Sequence, residues 1–199
     1  MFSQSRINQL LFVSIIIFAI IAGWAVSELF NSKQDEPSNN ITLKFEATDH
    51  FGNEVSTTNY DGFSKVFFFG FTHCPDICPI TMKQLQEVKS QLEGKTSKEF
   101  RVFLVSVDPD RDTPENLRIY LDNFNKEFIG LTGRIDQIYK FSTQVNAPFF
   151  PVVNSQEDNY TVDHSGSLVL INPEAKYSGF FRAPHSADKL SKALASLLR

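Results

Sequence analysis

The sequence predicts an α/β sandwich, a central β-sheet flanked by helices. Two observations carry this. Val66-Phe67-Phe68-Phe69-Gly70-Phe71 and Val102 to Val107, the latter broken only by Ser106, are short apolar runs. Strands apolar on both faces belong in the middle of a sheet covered on each side by helices. Between the runs, across Pro79 to Glu93, Met82, Leu85, Val88 and Leu92 recur at helical spacing with Lys and Gln opposite. That pattern is a strand–helix–strand unit.

The later elements follow in order. Thr113 as N-cap, with Pro114 at the first helical position, opens a second helix through about Asn125. Ile135 to Val145 reads as a third helix. Leu168 to Ile171 and Tyr177 to Phe181 read as strands joined by the turn Asn172-Pro173-Glu174-Ala175, and Ala187 to Leu198 as a final amphipathic helix.

Ahead of this domain, Ile7 to Ser27 carries no charge, and Leu10 to Val26 is interrupted only by Ser14 and Gly23. A helix of that length spans roughly 31 Å, the thickness of a bilayer's hydrocarbon core. Arg6 precedes it, while Glu28, Asp35 and Glu36 follow. The positive-inside bias therefore places the short N-terminus in the cytoplasm and the domain outside. The competing reading is a cleaved signal peptide with Ala25-Val26-Ser27 as its cleavage site; in both cases the domain is exported. No Arg- and Ser-rich presequence precedes the span, which favours a bacterial inner membrane with the domain in the periplasm. Asn31 to Asn40 is polar and aperiodic. The expected organisation is an anchor over 1–30, a tether over 31–40 and one folded domain over 41–199.

Composition excludes several classes. With 199 residues, 42% of them hydrophobic, the chain has enough apolar material for a core, so wholesale disorder is ruled out. A net charge of −4 argues against nucleic acid as a partner, because phosphate binding needs clustered Lys and Arg. Two cysteines make neither a disulfide-rich scaffold nor a four-thiolate zinc site.

Those two cysteines stand in Cys74-Pro75-Asp76-Ile77-Cys78-Pro79, between the first predicted strand and its helix. Loops at the carboxyl ends of strands are where α/β folds place their chemistry. The free N–H groups of a helix start stabilise a thiolate. Cysteines four apart there stand one turn apart on the same side. A structural disulfide would close so short a loop that it contributes only about 2 kcal/mol. Redox and metal readings remain. Redox pairs are more often separated by two residues than by three, while two thiolates suit Cu(I), and an added imidazole suits Cu(II). His164, just before Leu168 to Ile171, comes near the cysteines if that strand lies beside Val66 to Phe71. The alternative is a hydrogen-bonded structural histidine. His73 adjoins Cys74, but adjacent residues of an extended chain point opposite ways, so it reads as a neighbour. His50 and His185 read as surface histidines.

Phe69-Gly70-Phe71-Thr72-His73-Cys74-Pro75-Asp76-Ile77-Cys78-Pro79, Val107-Asp108-Pro109-Asp110-Arg111-Asp112-Thr113-Pro114 and Val162-Asp163-His164-Ser165, in that order, resemble the three signatures of the SCO family, also called SenC or PrrC. These are membrane-anchored copper proteins of thioredoxin-like fold. The resemblance implies that Cys74, Cys78 and His164 bind copper as Cu(I) or Cu(II). It implies delivery of copper to the dinuclear centre of cytochrome c oxidase subunit II, with an upstream copper donor or thiol reductant as a second partner. That is metal transfer rather than turnover of a substrate. Some homologues act instead as thiol–disulfide reductases or redox sensors, in which role Cys74 and Cys78 would be the redox-active pair. The resemblance also implies a hairpin insertion before the histidine, for which Phe149 to Val162 is the candidate. Ala175 stands where a Gly is common.

The second signature has its own alternatives. Asp108, Asp110 and Asp112 alternate as in a calcium loop, but Thr113 and Ile119 occupy the positions where such a loop needs Gly and Glu. A strand end and helix cap, with Arg111 paired to a carboxylate, is one reading; a role beside the copper is the other. Asp76 and Asp163 are further candidates for residues beside the metal, and Asp76 reads equally as an exposed carboxylate.

Overall fold

In the computed structural model, which describes residues 45–96, 99–150 and 160–198 with Ile16, Ile17, Ile20, Ile21 and Gly23, the two apolar runs become neighbouring parallel strands. They are β3 (Ser64–Gly70) and β4 (Phe100–Ser106), joined through helix α1 (Ile77–Leu92). Before them come β1 (Glu46–Asp49), β2 (Glu54–Ser56) and a single 3-10 turn (Thr57–Tyr60). After them come α2 (Pro114–Asp122), β5 (Ile129–Thr132), α3 (Ile135–Gln144), β6 (Phe149–Phe150), β7 (Asp163–His164), β8 (Leu168–Ile171), β9 (Tyr177–Phe181) and α4 (Ala187–Leu197).

The main sheet has the order β2-β1-β5-β4-β3-β8-β9. β5, β4 and β3 run parallel, and the flanking strands are antiparallel, so the sheet is mixed. Its middle is the expected one: β3 is buried at all seven positions. Period-two alternation sorts these side chains. Phe67 and Phe69 meet Phe141 of α3 at 5.3 and 5.7 Å between ring centroids, while Phe68 and Gly70 face the opposite way, towards His164 and Cys78. One polar residue shares the strand. Lys65 is 0% exposed, and its ammonium donates to the Phe63 carbonyl at 3.2 Å and lies 3.7 Å from Asp61. α1 and α4 touch through Gln91, whose Oε1 accepts from Ser191 Oγ at 2.5 Å.

Three expected helices and the last two strands fall where periodicity places them. The second helix is shorter, ending at Asp122. Its last carbonyls, Ile119 and Tyr120, are taken by the Asn123 side chain at 2.8 and 3.2 Å, which closes the helix three residues early. β1, β2 and β5 are additions to the sequence reading, while β6 opens the stretch expected as a hairpin and β7 lies just past its end.

The chain divides into two units, Met1–Glu36 and Pro37–Arg199. In the first, the five described residues are helical and the four isoleucines among them are exposed. The rest of the expected anchor and the tether over 31–40 lie outside the described residues. Among those described, no helix is long and apolar enough to cross a membrane.

Candidate metal centre

The cysteine turn is set by the end of β3. After Gly70 the chain folds back, with the Cys74 N–H donating to the Phe71 carbonyl at 3.3 Å, and α1 begins at Ile77. Cys78 therefore sits in the first helical turn and Cys74 just ahead of it. Both are free thiols; Cys74 is 9% exposed and Cys78 0%. Gly70 makes the close approach possible. A Cβ there would lie 2.8 Å from Cys78 Sγ and 2.9 Å from Phe68 Cε1.

The two sulfurs share a hydrogen bond, and that bond divides their acidities. It is the largest influence lowering Cys74 to about 4, aided by the backbone N–H groups of Asp76 and Cys78, against the effect of burial. The same bond, together with burial, pushes Cys78 upward. The reduced pair is therefore one thiolate, at the rim, and one thiol, underneath.

His164 arrives from the far end of the sequence. β8 pairs antiparallel with β3, Phe68 opposite Leu168, which brings the residues just before β8 to the carboxyl end of β3. β7 is fixed in turn by β6, with Phe149 opposite His164. This pair closes the expected hairpin insertion, of which 151–159 lie outside the described residues. His164 Nδ1 lies 3.2 Å from the Ser165 carbonyl, so Nδ1–H donates and Nε2 keeps its lone pair. That Nε2 is 3.6 Å from Cys78 Sγ. The rings of Phe68 and Phe71 stand edge-on to the imidazole at 6.0 and 5.7 Å. Gly166 lets this segment lie against the cysteine turn, since a Cβ would come within 2.6 Å of Ile77 Cδ1. One ligand atom each from Cys74, Cys78 and His164 falls within 4.8 Å of the others. Two soft sulfurs and a borderline nitrogen are a donor set for copper.

The acidic signature fastens both halves of this arrangement. Asp112 is fully buried. It accepts from Thr72 N–H at 3.1 Å, from Thr72 Oγ1 at 2.6 Å and from Ser106 Oγ at 2.7 Å, tying the cysteine turn to the end of β4. Burial is the largest influence on its carboxyl and raises it above the usual carboxylate range. Asp108 holds Arg111 at 2.5 Å through one oxygen and the Tyr160 hydroxyl at 2.5 Å through the other. Arg111 donates to the Tyr160 carbonyl at 3.1 Å, and its guanidinium lies 3.6 Å from the Tyr160 ring centroid. Tyr160 leads into β7, so this clamp holds the histidine segment. The expected Arg111–carboxylate pair is present. Asp108 and Asp112 are occupied by side chains of the protein and Asp110 is exposed, which is not a calcium loop.

Asp76 is exposed and caps α1 with no side-chain hydrogen bond, and Asp163 is exposed on β7. Two histidines differ from the surface reading. His50 is 6% exposed and its Nδ1 accepts from the Gly130 N–H at 3.1 Å. His185 is half-buried, with Nε2 2.7 Å from the Gly166 carbonyl. Each was hidden because its partner is far away in sequence. His73 lies outside the sulfur–imidazole group, as expected, although its chain is a turn rather than extended.

Residues 33–199 match the SCO1/SenC family. A putative copper-binding protein of Stutzerimonas stutzeri is 36% identical over 162 residues, 81% of this chain and 79% of that one. The SCO2-like protein RP587 of Rickettsia prowazekii is 32% identical over 197 residues, 94% and 95% of the two chains. The fission-yeast protein sco1 (Schizosaccharomyces pombe) is 31% identical over 156 residues, 76% of this chain but only 59% of that longer protein. Among solved structures, Arabidopsis thaliana ScoI with copper bound superimposes with a TM-score of 0.72 at 29% identity, covering 78% of this chain and 96% of that one.

Proposed function

Since this chain belongs to the SCO1/SenC family, we propose that it is a copper-delivery protein in which Cys74, Cys78 and His164 take up one copper ion and pass it to the dinuclear centre of cytochrome c oxidase subunit II. The observation that carries the reading is the convergence of three ligand atoms, from positions 74, 78 and 164, within 4.8 Å of one another. The hydrogen bond from His164 Nδ1 to Ser165 leaves Nε2 ready to ligate. Two thiolates and a neutral imidazole balance the charge of Cu(II) and leave Cu(I) with one negative charge, so both oxidation states are accommodated. Uptake needs both sulfurs as thiolates, and their shared hydrogen bond makes Cys74 the readier and Cys78 the more reluctant to give up its proton. The copper-bound state of the Arabidopsis relative and the description of the Stutzerimonas relative support copper as the ion.

The placement belongs to the same proposal. The apolar run over 7–27 anchors the chain in a bacterial inner membrane, the tether over 31–40 extends from it, and the domain over 41–199 works in the periplasm, supplied by an upstream copper donor or thiol reductant.

Titrating the reduced, full-length chain with Cu(II) tests this. Thiolate-to-copper charge-transfer absorption should saturate at one ion per chain, vanish in Cys74→Ser and weaken in His164→Ala. No such absorption in the parent protein overturns the proposal. A second reading has one observation in its favour, the rim thiolate at Cys74 over a buried thiol at Cys78. In it, Cys74 attacks a disulfide of the oxidase subunit and releases one partner thiolate; Cys78 then attacks the mixed disulfide and releases the other, leaving Cys74–Cys78 oxidised. Disulfide reduction that survives His164→Ala, with no copper absorption in the parent, would establish that reading instead.

A further inference from the structure

We propose that His73 is a transient copper ligand at the mouth of the site, receiving the ion through Nε2 before Cys74 and Cys78 take it and holding it last on release. This rests on the copper reading above and adds a residue which that reading leaves unused.

The hydrogen bonds assign the tautomer. Thr72 has a single hydroxyl proton, and it is donated to Asp112 Oδ1 at 2.6 Å. The 3.0 Å contact between Thr72 Oγ1 and His73 Nδ1 is therefore made by the ring N–H, with the threonine oxygen accepting. The Asp112 carboxylate, 3.8 Å from the same Nδ1, favours that orientation. The lone pair is left on Nε2, which no described residue takes up. His164 has the same pattern, Nδ1–H on a protein oxygen and Nε2 available, and this is the arrangement that metal-binding imidazoles use. Two histidines are thus prepared alike, one inside the cluster and one outside it.

Position gives the second its role. Both sulfurs are buried, whereas the His73 side chain is 50% exposed. It precedes Cys74 in the turn closed by the Cys74 N–H and the Phe71 carbonyl. An aquated ion therefore meets an available nitrogen one residue from the rim thiolate. In the first step a copper–Nε2 bond forms as a bound water leaves. In the second a copper–sulfur bond to Cys74 forms as the copper–Nε2 bond breaks, returning a neutral imidazole. Cys78 then joins and releases its thiol proton to solvent. Copper keeps its oxidation state throughout.

Stopped-flow mixing of the reduced full-length chain in detergent with a Cu(II) salt follows the rise of the thiolate-to-copper absorption. His73→Ala and His73→Gln should reach the parent's final absorbance but load roughly tenfold more slowly, the lower end of what loss of one partner at a metal site commonly causes. Imidazole in the buffer should restore the rate of His73→Ala and leave the parent's rate unchanged. Equal rates in parent and variants overturn the inference. So does slowing that imidazole does not rescue, which marks a structural role, or a lowered final absorbance, which marks a resident ligand. If the parent itself shows no absorption, the copper reading fails, and that outcome is distinct from the others.

Discussion

The cysteine turn and the histidine segment meet at one point but are held by different means. The turn hangs from β3, a fully buried seven-residue strand with a paired neighbour on each side. Asp112 pins it from within the core. The histidine stands in the two-residue strand β7, with one two-residue partner, and is steadied by the Arg111–Asp108–Tyr160 clamp. Two donors are thus fixed by the core and the third by a peripheral clamp. In the copper-delivery reading proposed above, this division is useful. The sulfurs define the site, and the more lightly held nitrogen is where binding strength can be changed without unfolding the domain.

Asp112→Ala strikes the firmer side and should have the largest effect. It leaves the Thr72 N–H, the Thr72 hydroxyl and the Ser106 hydroxyl without their acceptor, at a cost of about 3 kcal/mol. In a domain of this size that is a fall in Tm of roughly 6–12 °C, together with altered reactivity of Cys74 towards alkylation. An unchanged Tm would show that the core does not hold the turn through Asp112. Two glycines compare the regions directly. Gly70→Ala forces a methyl to within 2.8 Å of Cys78 Sγ and 2.9 Å of the Phe68 ring, both immobile, and should cost about 2 kcal/mol while weakening the copper absorption. Gly166→Ala meets chiefly the end of the Ile77 side chain, which can turn aside, with Ala183 Cβ a milder contact at 3.1 Å, and should cost only about 1 kcal/mol. Equal melting temperatures for the two variants would erase the distinction. Tyr160→Phe removes the bond to Asp108 and keeps the ring beneath Arg111, so about 1 kcal/mol of stability should be lost. Copper affinity should fall several-fold and Cys74 alkylation should stay at the parental rate; a changed alkylation rate would mean that the clamp also supports the cysteines.

What could be read from the sequence divides along the same line. β3, β4 and α1 are long enough for periodicity to register, and the cysteine pair lies within that unit. His164 was legible as a candidate because β8 is an uninterrupted apolar run whose pairing with β3 the fold class suggests. Elements of two to four residues were not legible: β1 is Glu-Ala-Thr-Asp, β5 carries Gly130 in its middle, and β6 and β7 exist only as each other's partner. The anchoring by Asp112 and the part of Tyr160 in the clamp at Asp108 were also missed. Thr72 and Tyr160 stand 40 and 52 residues from their partners, and no local spacing encodes contacts at that range. The alternation of Asp108, Asp110 and Asp112 had a local meaning as a loop pattern, while the structure uses two of the three separately, one for each half of the site.

The smallest predicted effect is one of pH, and it belongs to the cysteine side. Burial raises the Asp112 carboxyl above its ordinary value of 3.8, so the folded protein holds that proton at pH values where the unfolded chain has released it. Folding is then favoured by Asp112 below about pH 4, and this contribution is lost as pH rises through the raised value, by at most about 1.4 kcal/mol for each pH unit in that interval. Asp112→Asn cannot titrate. Beyond its constant cost, its deficit in Tm relative to the parent should grow as the pH is lowered from 7 towards 4, because only the parent gains from protonation. Melting curves of both proteins at half-unit steps measure the gap. A gap that narrows on acidification would mean that the three hydrogen bonds to the carboxylate outweigh burial. The cysteine turn would then be held chiefly by a charge-assisted network, and its contrast with the Arg111 clamp would be one of position rather than of kind.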